Sequence, residues 1–420
     1  MSVTGSQQRT ALKLLAELRP HWWRDRAMPL RVETVLRANR SIGSRDRRLY
    51  RELIYTTLRY LPWIEPWLDR EPERALKIAA WLSAENKATS NFRAAHCGDW
   101  PERPATLVEQ AKFLEADATA LLPGWFREHC AAVFEPVELE TQLRRAPLWL
   151  RVSAESATAV EQEFAHLGWR FARSDILPTA FRIFADADIT KTDAFARGLI
   201  EVQDLGSQLV LAHAGIEPGG RWLDGCAGAG GKTLQLAGLL GAPGHIDAHD
   251  VRTDALRELA LRARRANITV CHLLNDKREI LLGDAPGVCH LIDDKRFAPI
   301  TLIEGSEERV YDGVLVDAPC SGSGTWRRAP HLKWTTTPET IAESAARQLK
   351  ILTRLAARVR SGGRLLYVTC SLSRRENEDV VAQFIASQPE FTADPVHPAR
   401  TILPSRHDTD GFFVASFRRR

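Results

Sequence analysis

Three stretches in the second half of this 420-residue chain bring together residue types that could do chemistry. The first, Trp222-Leu223-Asp224-Gly225-Cys226-Ala227-Gly228-Ala229-Gly230-Gly231-Lys232-Thr233, reads as a strand running through a glycine-rich turn into a helix. Such a turn lets the backbone approach a ligand closely and presents helix N-terminal amides. It is not a triphosphate loop, because G-x-x-x-x-G-K-[ST] ending at Gly231-Lys232-Thr233 needs glycine where Cys226 stands. The dinucleotide pattern G-x-G-x-x-G fails as well, since Thr233 occupies the third glycine's place. A nucleoside without a triphosphate remains. The next strand ends in Asp250, an acid placed to accept both ribose hydroxyls at the carboxyl edge of a parallel sheet. This is the layout of an S-adenosylmethionine site; a helix cap beside a surface acid is the alternative.

The other two stretches end in thiols: Asp317-Ala318-Pro319-Cys320-Ser321-Gly322 and Thr369-Cys370-Ser371. Adjacent parallel strands ending on one edge would place both cysteines at the crevice where α/β sheets bind ligands. The bland alternative is a pair of small core residues. A thiol beside a methyl donor has a specific use. Carbon 5 of a pyrimidine is a poor nucleophile, and thiolate addition at carbon 6 makes it enamine-like, able to attack a sulfonium methyl. Charge then builds on the ring and is relieved by a proton or hydrogen bond at N3, a role open to a protonated Asp317. The carbon-5 proton must leave before the thiol is eliminated, where a base or second thiol would help. An amino-group methyltransferase would show Asn/Asp-Pro-Pro-aromatic at this strand end; here it is Asp-Ala-Pro-Cys.

To hold these residues on one edge, residues 206–420 must alternate strands and helices, and their apolar pattern does so. Strands are predicted at 221–224, 245–250, 269–274, 311–317 and 363–371, with helices at 231–240, 253–266, 337–360 and 374–387. Pro338 fits the first position of the third helix and Ser361-Gly362-Gly363 its end. Gly411–Phe417 can add an edge strand. Residues 119–205 look α+β, with strands at 148–152, 169–171 and 180–184 and a helix at 157–167. Residues 1–118 read as helix: Leu12, Leu15 and Leu18, then Leu49, Leu53, Ile54, Leu58 and Leu61, form apolar stripes, with Ser44 as a cap and Pro62 at the end. Tryptophans 22, 23, 63, 67, 81 and 100 suit packing, and some could stack on bases.

Composition narrows the classes. With 26% charged and 44% hydrophobic residues, the chain is an ordinary globular one. No apolar run reaches the roughly 20 residues of a bilayer span, and Met1–Arg9 lacks a secretory apolar core. The seven cysteines make no C-x-x-C, which fits neither a disulfide framework nor a zinc cage and points to a reducing cytoplasm, with no metal. Residues 1–60 hold 13 Lys and Arg against 5 Asp and Glu, a net +8, while the rest carries 44 against 48. A basic end on a near-neutral body suits a polyanion such as nucleic acid; an arginine-rich solvated helix surface is the other reading.

Taken together, the motifs resemble the Sun/Fmu-type RNA cytosine-C5 methyltransferases over most of the chain. The family's CAAPGGKT is similar to Cys226–Thr233, with Gly228-Ala229 replacing Ala-Pro. Its DAPCSG is Asp317–Gly322 unchanged, followed by Trp326-Arg327-Arg328-Ala329-Pro330-His331-Leu332-Lys333-Trp334, and its TCS is Thr369–Ser371, followed by Glu376-Asn377-Glu378. The closing DGFF-A is Asp410–Ala415. The resemblance implies an α/β, Rossmann-like catalytic domain (206–420), preceded by a small α+β domain (119–205) and an all-α NusB-like domain (1–118). The last rests on Ser44–Tyr50, and Ser83–Glu115 departs from the family pattern.

It also implies Cys370 as nucleophile, Cys320 as the thiol assisting product release, Asp317 at N3 of cytosine and Lys232 near the catalytic thiol. For S-adenosylmethionine it implies the backbone of Cys226, Ala227, Gly228, Ala229, Gly230, Gly231 and Lys232, together with Asp250, Asp317 and a third-strand acid. That acid is assigned to Asp276; Asp284 is its rival, because 277–310 is longer than the family usually has. The expected substrate is a cytidine flipped out of structured RNA, most simply ribosomal RNA, and the expected state is a monomer. A catalytically silent RNA-binding assembly factor and a DNA cytosine methyltransferase are the alternatives, though the chain lacks the large target-recognition insertion of the latter.

Overall fold

A computed structural model describes residues 3–39, 42–184, 188–273, 296–303 and 309–420. The chain divides into two compact units, Met1–Arg145 with Thr325–Pro338, and Ala146–Gly324 with Glu339–Arg420. The stretch 119–205, read as one domain, is therefore shared: 119–145 belongs to the first unit and 146–205 to the second.

Among the described residues the first unit is helical, from Val3–Leu18 to Pro136–Leu143. The predicted leucine stripes are its core: Leu15, Leu18, Leu49, Leu53 and Leu58 are all at most 1% exposed. Ser44 does not cap its helix; the helix starts at Ser44, Gly43 takes the cap position, and Pro62 opens the following helix, Leu61–Leu68. Tryptophans 22, 63 and 81 are buried in this core, whereas Trp23 is half exposed.

The unit is completed by a segment from far along the chain. Lys333, 0% exposed, donates from Nζ to the Arg59 and Leu121 carbonyls at 2.8 and 3.1 Å, and Trp334 Nε1 donates to the Leu58 carbonyl at 2.6 Å. Arg59 in turn donates to the Arg327 carbonyl at 3.1 Å, and Trp326 packs on Phe126. Burial drives the Lys333 amine well below its ordinary range. The basic-aromatic run after the Asp-Ala-Pro-Cys turn is thus core, and cutting away residues 1–118 would orphan its buried donors.

The second unit carries two sheets. Strands β1 (Leu148–Val152), β2 (Phe171–Arg173), β3 (Ala180–Ile183) and β4 (Ile200–Val202) form a small antiparallel sheet in the order β2-β3-β1-β4. The larger sheet is built from β5 (Gly220–Asp224), β6 (Gly244–Ala248), β7 (Val270–Leu273), β8 (Ile300–Ile303), β9 (Tyr311–Asp317), β10 (Val359–Thr369), β11 (Phe391–Ala393), β12 (Arg400–Ile402) and β13 (Phe412–Arg419). Its order is β11-β13-β10-β9-β5-β6-β8-β7, with β12 also on β13. The neighbours along β10-β9-β5-β6-β8-β7 all pair in parallel; β13 runs antiparallel to β10. Alternate residues serve opposite faces: Leu315, Leu366 and Val368 pack with helices Gly231–Leu240 and Thr253–Arg265, while Val314, Val316 and Leu365 pack with Pro338–Ala356 and Glu378–Ser387.

Three expectations are corrected. The tail strand β13 is not an edge, because β11 and β12 cover its far side. The long helix stops at Ala356, and Ser361-Gly362-Gly363 lies inside β10 at a bulge between Val359 and Arg364, with Gly362 at φ +74°. Strand β8 was not foreseen; it takes the place beside β6 and moves β7 one position outward. Asp276 and Asp284 both follow β7 and lie outside the described residues.

Candidate active site

The sheet register sets the site. Asp224 pairs with Ala248 and Leu315, and Asp317 with Val368, so β5 and β6 end level and β9 and β10 run two to three residues further on the same edge. From that edge project the 225–230 turn, Asp250, the Cys320 loop and the Cys370 loop.

The turn leads from β5 into the helix Gly231–Leu240. Gly230, at φ +87°, caps the helix in a left-handed conformation, and a Cβ there would collide with Leu259 at 2.6 Å. A Cβ on Gly231 would meet nothing within 4 Å. Five of the turn's amides are already engaged: Gly225 by the Leu315 carbonyl (2.9 Å), Cys226 by Asp224 (3.3 Å), Ala227 by the His249 carbonyl (2.9 Å), Gly228 by Asp250 (2.8 Å) and Gly230 by the Ala227 carbonyl (2.9 Å). The turn therefore offers close backbone approach among acids rather than a nest of amides for phosphate.

Asp224 is buried and accepts from Thr233 Oγ1 at 2.8 Å; burial raises its carboxyl to about 7 against that hydrogen bond, with Asp317 adding repulsion. Asp250 accepts from Gly228 N and from the Arg252 backbone and guanidinium. Burial opposes its charge, but these donors outweigh it and hold the carboxyl below the usual range. Burial likewise makes the Cys226 thiol weakly acidic, pushed up to about 12, with Asp224 next in effect. Cys226 is a lining thiol, not an activated one.

At the other end of the crevice, Cys320 and Cys370 face each other with Sγ atoms 3.2 Å apart, and both remain partly accessible. Lys232 Nζ donates to Asp317 Oδ2 at 2.8 Å. Burial works against the ammonium, yet Asp317, and after it Cys370, raise it, so the lysine is charged. Cys320 is pushed well above the ordinary thiol value by its hydrogen bond to Cys370, by burial and by the nearby Glu376 carboxylate. Two thiols, a fixed ammonium and a carboxylate thus share one crevice.

The profile of the 16S rRNA methyltransferase RsmB/F family matches residues 212–418. Ribosomal RNA small subunit methyltransferase B of Klebsiella pneumoniae is 31% identical over 325 residues, covering 74% of this chain and 69% of that protein. The enzyme of the same name from Vibrio vulnificus is 26% identical over 419 residues, covering 90% and 92%. The chain belongs to the RsmB/F family. It is an S-adenosylmethionine-dependent RNA methyltransferase. A crystal structure of a methyltransferase homologue from Pyrococcus horikoshii, 25% identical with a TM-score of 0.55, covers 70% of this chain and 93% of its own.

For an RsmB/F enzyme the donor set fits the cofactor. A sulfonium with an ammonium tail is cationic, and Asp250 and Asp317 stand around a turn whose amides mostly bond internally. Asp250 would hold the ribose hydroxyls and Asp317 the side near the reacting base. Replacing Asp250 by Ala should weaken S-adenosylmethionine binding by about 1–3 kcal/mol, through lost hydroxyl acceptors and a loosened Gly228 amide. Titration calorimetry reads this directly, and unchanged affinity would remove Asp250 from the site.

Sequence reasoning missed what orients the thiols. Glu376, fully buried, accepts from Ser321 N at 2.7 Å, Ser321 Oγ, Ser371 Oγ at 2.6 Å and Gln348 Nε2 at 3.0 Å. Ser321 and Ser371 directly follow the two cysteines, so one carboxylate ties both loops together. Asn377 braces the Cys370 loop itself, accepting from Thr369 Oγ1 at 2.6 Å and donating to the Ser371 carbonyl at 2.9 Å on either side of the cysteine. Gly324 N donates to the Cys370 carbonyl at 2.9 Å, and a Cβ there would lie 2.1 Å from the Gly411 carbonyl. The Glu376-Asn377-Glu378 run, beginning six residues after Cys370, was the signal the sequence offered, without the partners that give it its role.

Proposed function

We propose that this protein forms 5-methylcytidine in small-subunit ribosomal RNA, with Cys370 as the nucleophile. The 3.2 Å approach of Cys320 to Cys370, with the Lys232–Asp317 pair beside them, carries this reading. The hydrogen bond to Cys370, burial and the Glu376 carboxylate push the Cys320 thiol up, which disfavours Cys320 as the attacking thiolate and leaves that role to Cys370. The Cys370 sulfur bonds to carbon 6, and N3 takes a proton passed from the Lys232 ammonium through the Asp317 carboxylate, which receives it back once carbon 5 is methylated. Bound S-adenosylmethionine supplies the electrophilic methyl group for carbon 5. As the sulfur–carbon-6 bond breaks, Cys320 gives its thiol proton to the departing Cys370 sulfur and takes the carbon-5 proton in its place, restoring both residues.

The helical unit, read as NusB-like, and the small antiparallel sheet would grip structured RNA through phosphate contacts and shape, with the target base flipped into the crevice. Among the described residues no helix is long and apolar enough to cross a membrane. Bisulfite sequencing of total RNA from a deletion strain and its parent tests the proposal. One small-subunit rRNA cytidine protected in the parent should become convertible in the deletion; identical patterns would overturn it.

A further inference from the structure

We propose that Arg262 is a positioning residue for the cofactor turn, fastening it from behind to Glu201 of the small antiparallel sheet. Arg262 lies near the end of helix Thr253–Arg265, outside every motif described above. Its Nη1 donates to the Ala229 carbonyl at 2.7 Å, while Nε and Nη2 donate to Glu201 Oε2 at 3.1 and 2.8 Å. Arg265 Nη2 holds the other carboxylate oxygen at 2.7 Å, and its guanidinium lies over the Phe195 ring at 4.0 Å. The Glu201 and Arg262 side chains are 5% and 15% exposed.

The bond falls at a sensitive point. Ala229 sits between Gly228 and Gly230, both at positive φ, so little side-chain bulk opposes rotation of the Ala229–Gly230 peptide plane. That plane is held at both ends, its N–H by the Ala227 carbonyl at 2.9 Å and its C=O by Arg262. Asp250 fixes the preceding Gly228 amide, so the crest of the turn is set from the cofactor side by Asp250 and from the rear by Arg262. A guanidinium fork spreads its donors over three nitrogens and so spans the carboxylate and the carbonyl where they stand; a lysine would have to bring both acceptors to a single nitrogen. Glu201 stands on β4 in register with Arg151 of β1, so the small sheet carries the anchor of the cofactor turn.

The inference rests on cofactor binding and not on which base is methylated, so it is tested without RNA. S-adenosylmethionine is titrated calorimetrically into the full-length wild type, Arg262→Lys and Glu201→Gln, with amide exchange followed at 226–231. Arg262→Lys should bind about tenfold more weakly, with faster exchange at Gly230. In turnover the rise should fall on KM for S-adenosylmethionine, with kcat at saturating cofactor near wild type. Glu201→Gln, which keeps the arginine but loosens its anchor, should shift affinity the same way by a smaller factor. Should Arg262→Lys not fold, the Glu201→Gln titration decides alone. Affinity equal to wild type in the folded variants, whatever their melting temperatures, would overturn the proposal. Failure of the wild type to bind would instead count against the cofactor assignment.

Discussion

Cys320→Ala, incubated with S-adenosylmethionine and substrate RNA, should run on a denaturing gel as a protein–RNA adduct, while Cys370→Ala should show neither adduct nor methyl transfer. If Cys370 attacks carbon 6, its removal eliminates the covalent route, and activity should fall by at least about 10³-fold, as for other covalent nucleophiles. In the proposed reaction Cys320 enters only after the methyl group is in place. Its sulfur lies 3.2 Å from the sulfur that must depart, and it remains a protonated thiol. Without it, attack and methylation proceed, elimination stalls, and one turnover of RNA stays attached through Cys370. An adduct with Cys370→Ala and none with Cys320→Ala would assign the nucleophile to Cys320. Full activity in both variants would reduce the thiols to core packing.

Replacing Glu376 should have the next largest effect, because two oxygens of one buried carboxylate satisfy four donors. In Glu376→Ala the Ser321 amide and the Gln348 side chain lose an acceptor in a site closed to water. A stability loss of about 3–5 kcal/mol is expected, measured by denaturant melts. Glu376→Gln is the informative variant. Its carbonyl can take the Oε1 place, serving the Ser321 amide and Gln348, while its amide must donate where the two serine hydroxyls formerly donated. The hydroxyls can rotate to accept, so the fold survives, but the link between the cysteine loops weakens. Built into Cys320→Ala, this change should slow adduct accumulation by about 10²-fold while leaving S-adenosylmethionine affinity unchanged, since Glu376 touches no part of the cofactor turn. Adduct formation at the rate of Cys320→Ala alone would mean that Glu376 serves only stability.

Both predictions depend on features with very different visibility in the amino-acid order. Strand β9 falls on the predicted Tyr311–Asp317 and β1 on Leu148–Val152, because each is a short apolar run closed by turn residues, and such runs are local. The glycine turn, its acid on the next strand and the thiols at two strand ends were legible for the same reason. Chemistry at the carboxyl edge of a parallel sheet gathers at strand ends, and strand ends can be read one segment at a time.

Strand order could not be read that way. That β8 takes the place beside β6, or that β13 lies inside the sheet, depends on which backbone edges pair, and no periodicity within one segment reports its neighbours. The same holds for the Trp326–Trp334 run, whose amine and indole find acceptors at Arg59, Leu121 and Leu58, hundreds of residues earlier. Glu376 stands in the run that follows the Thr-Cys-Ser turn, but nothing in that run shows that it bonds Ser321 and Ser371, and Arg262 looks like a surface charge on a helix until packing brings Ala229 and Glu201 within bonding distance. The order of residues thus determined what chemistry this protein carries and on which strand ends. The tertiary structure alone decided how that chemistry is held, because a buried charge is stable only where partners from distant segments converge on it.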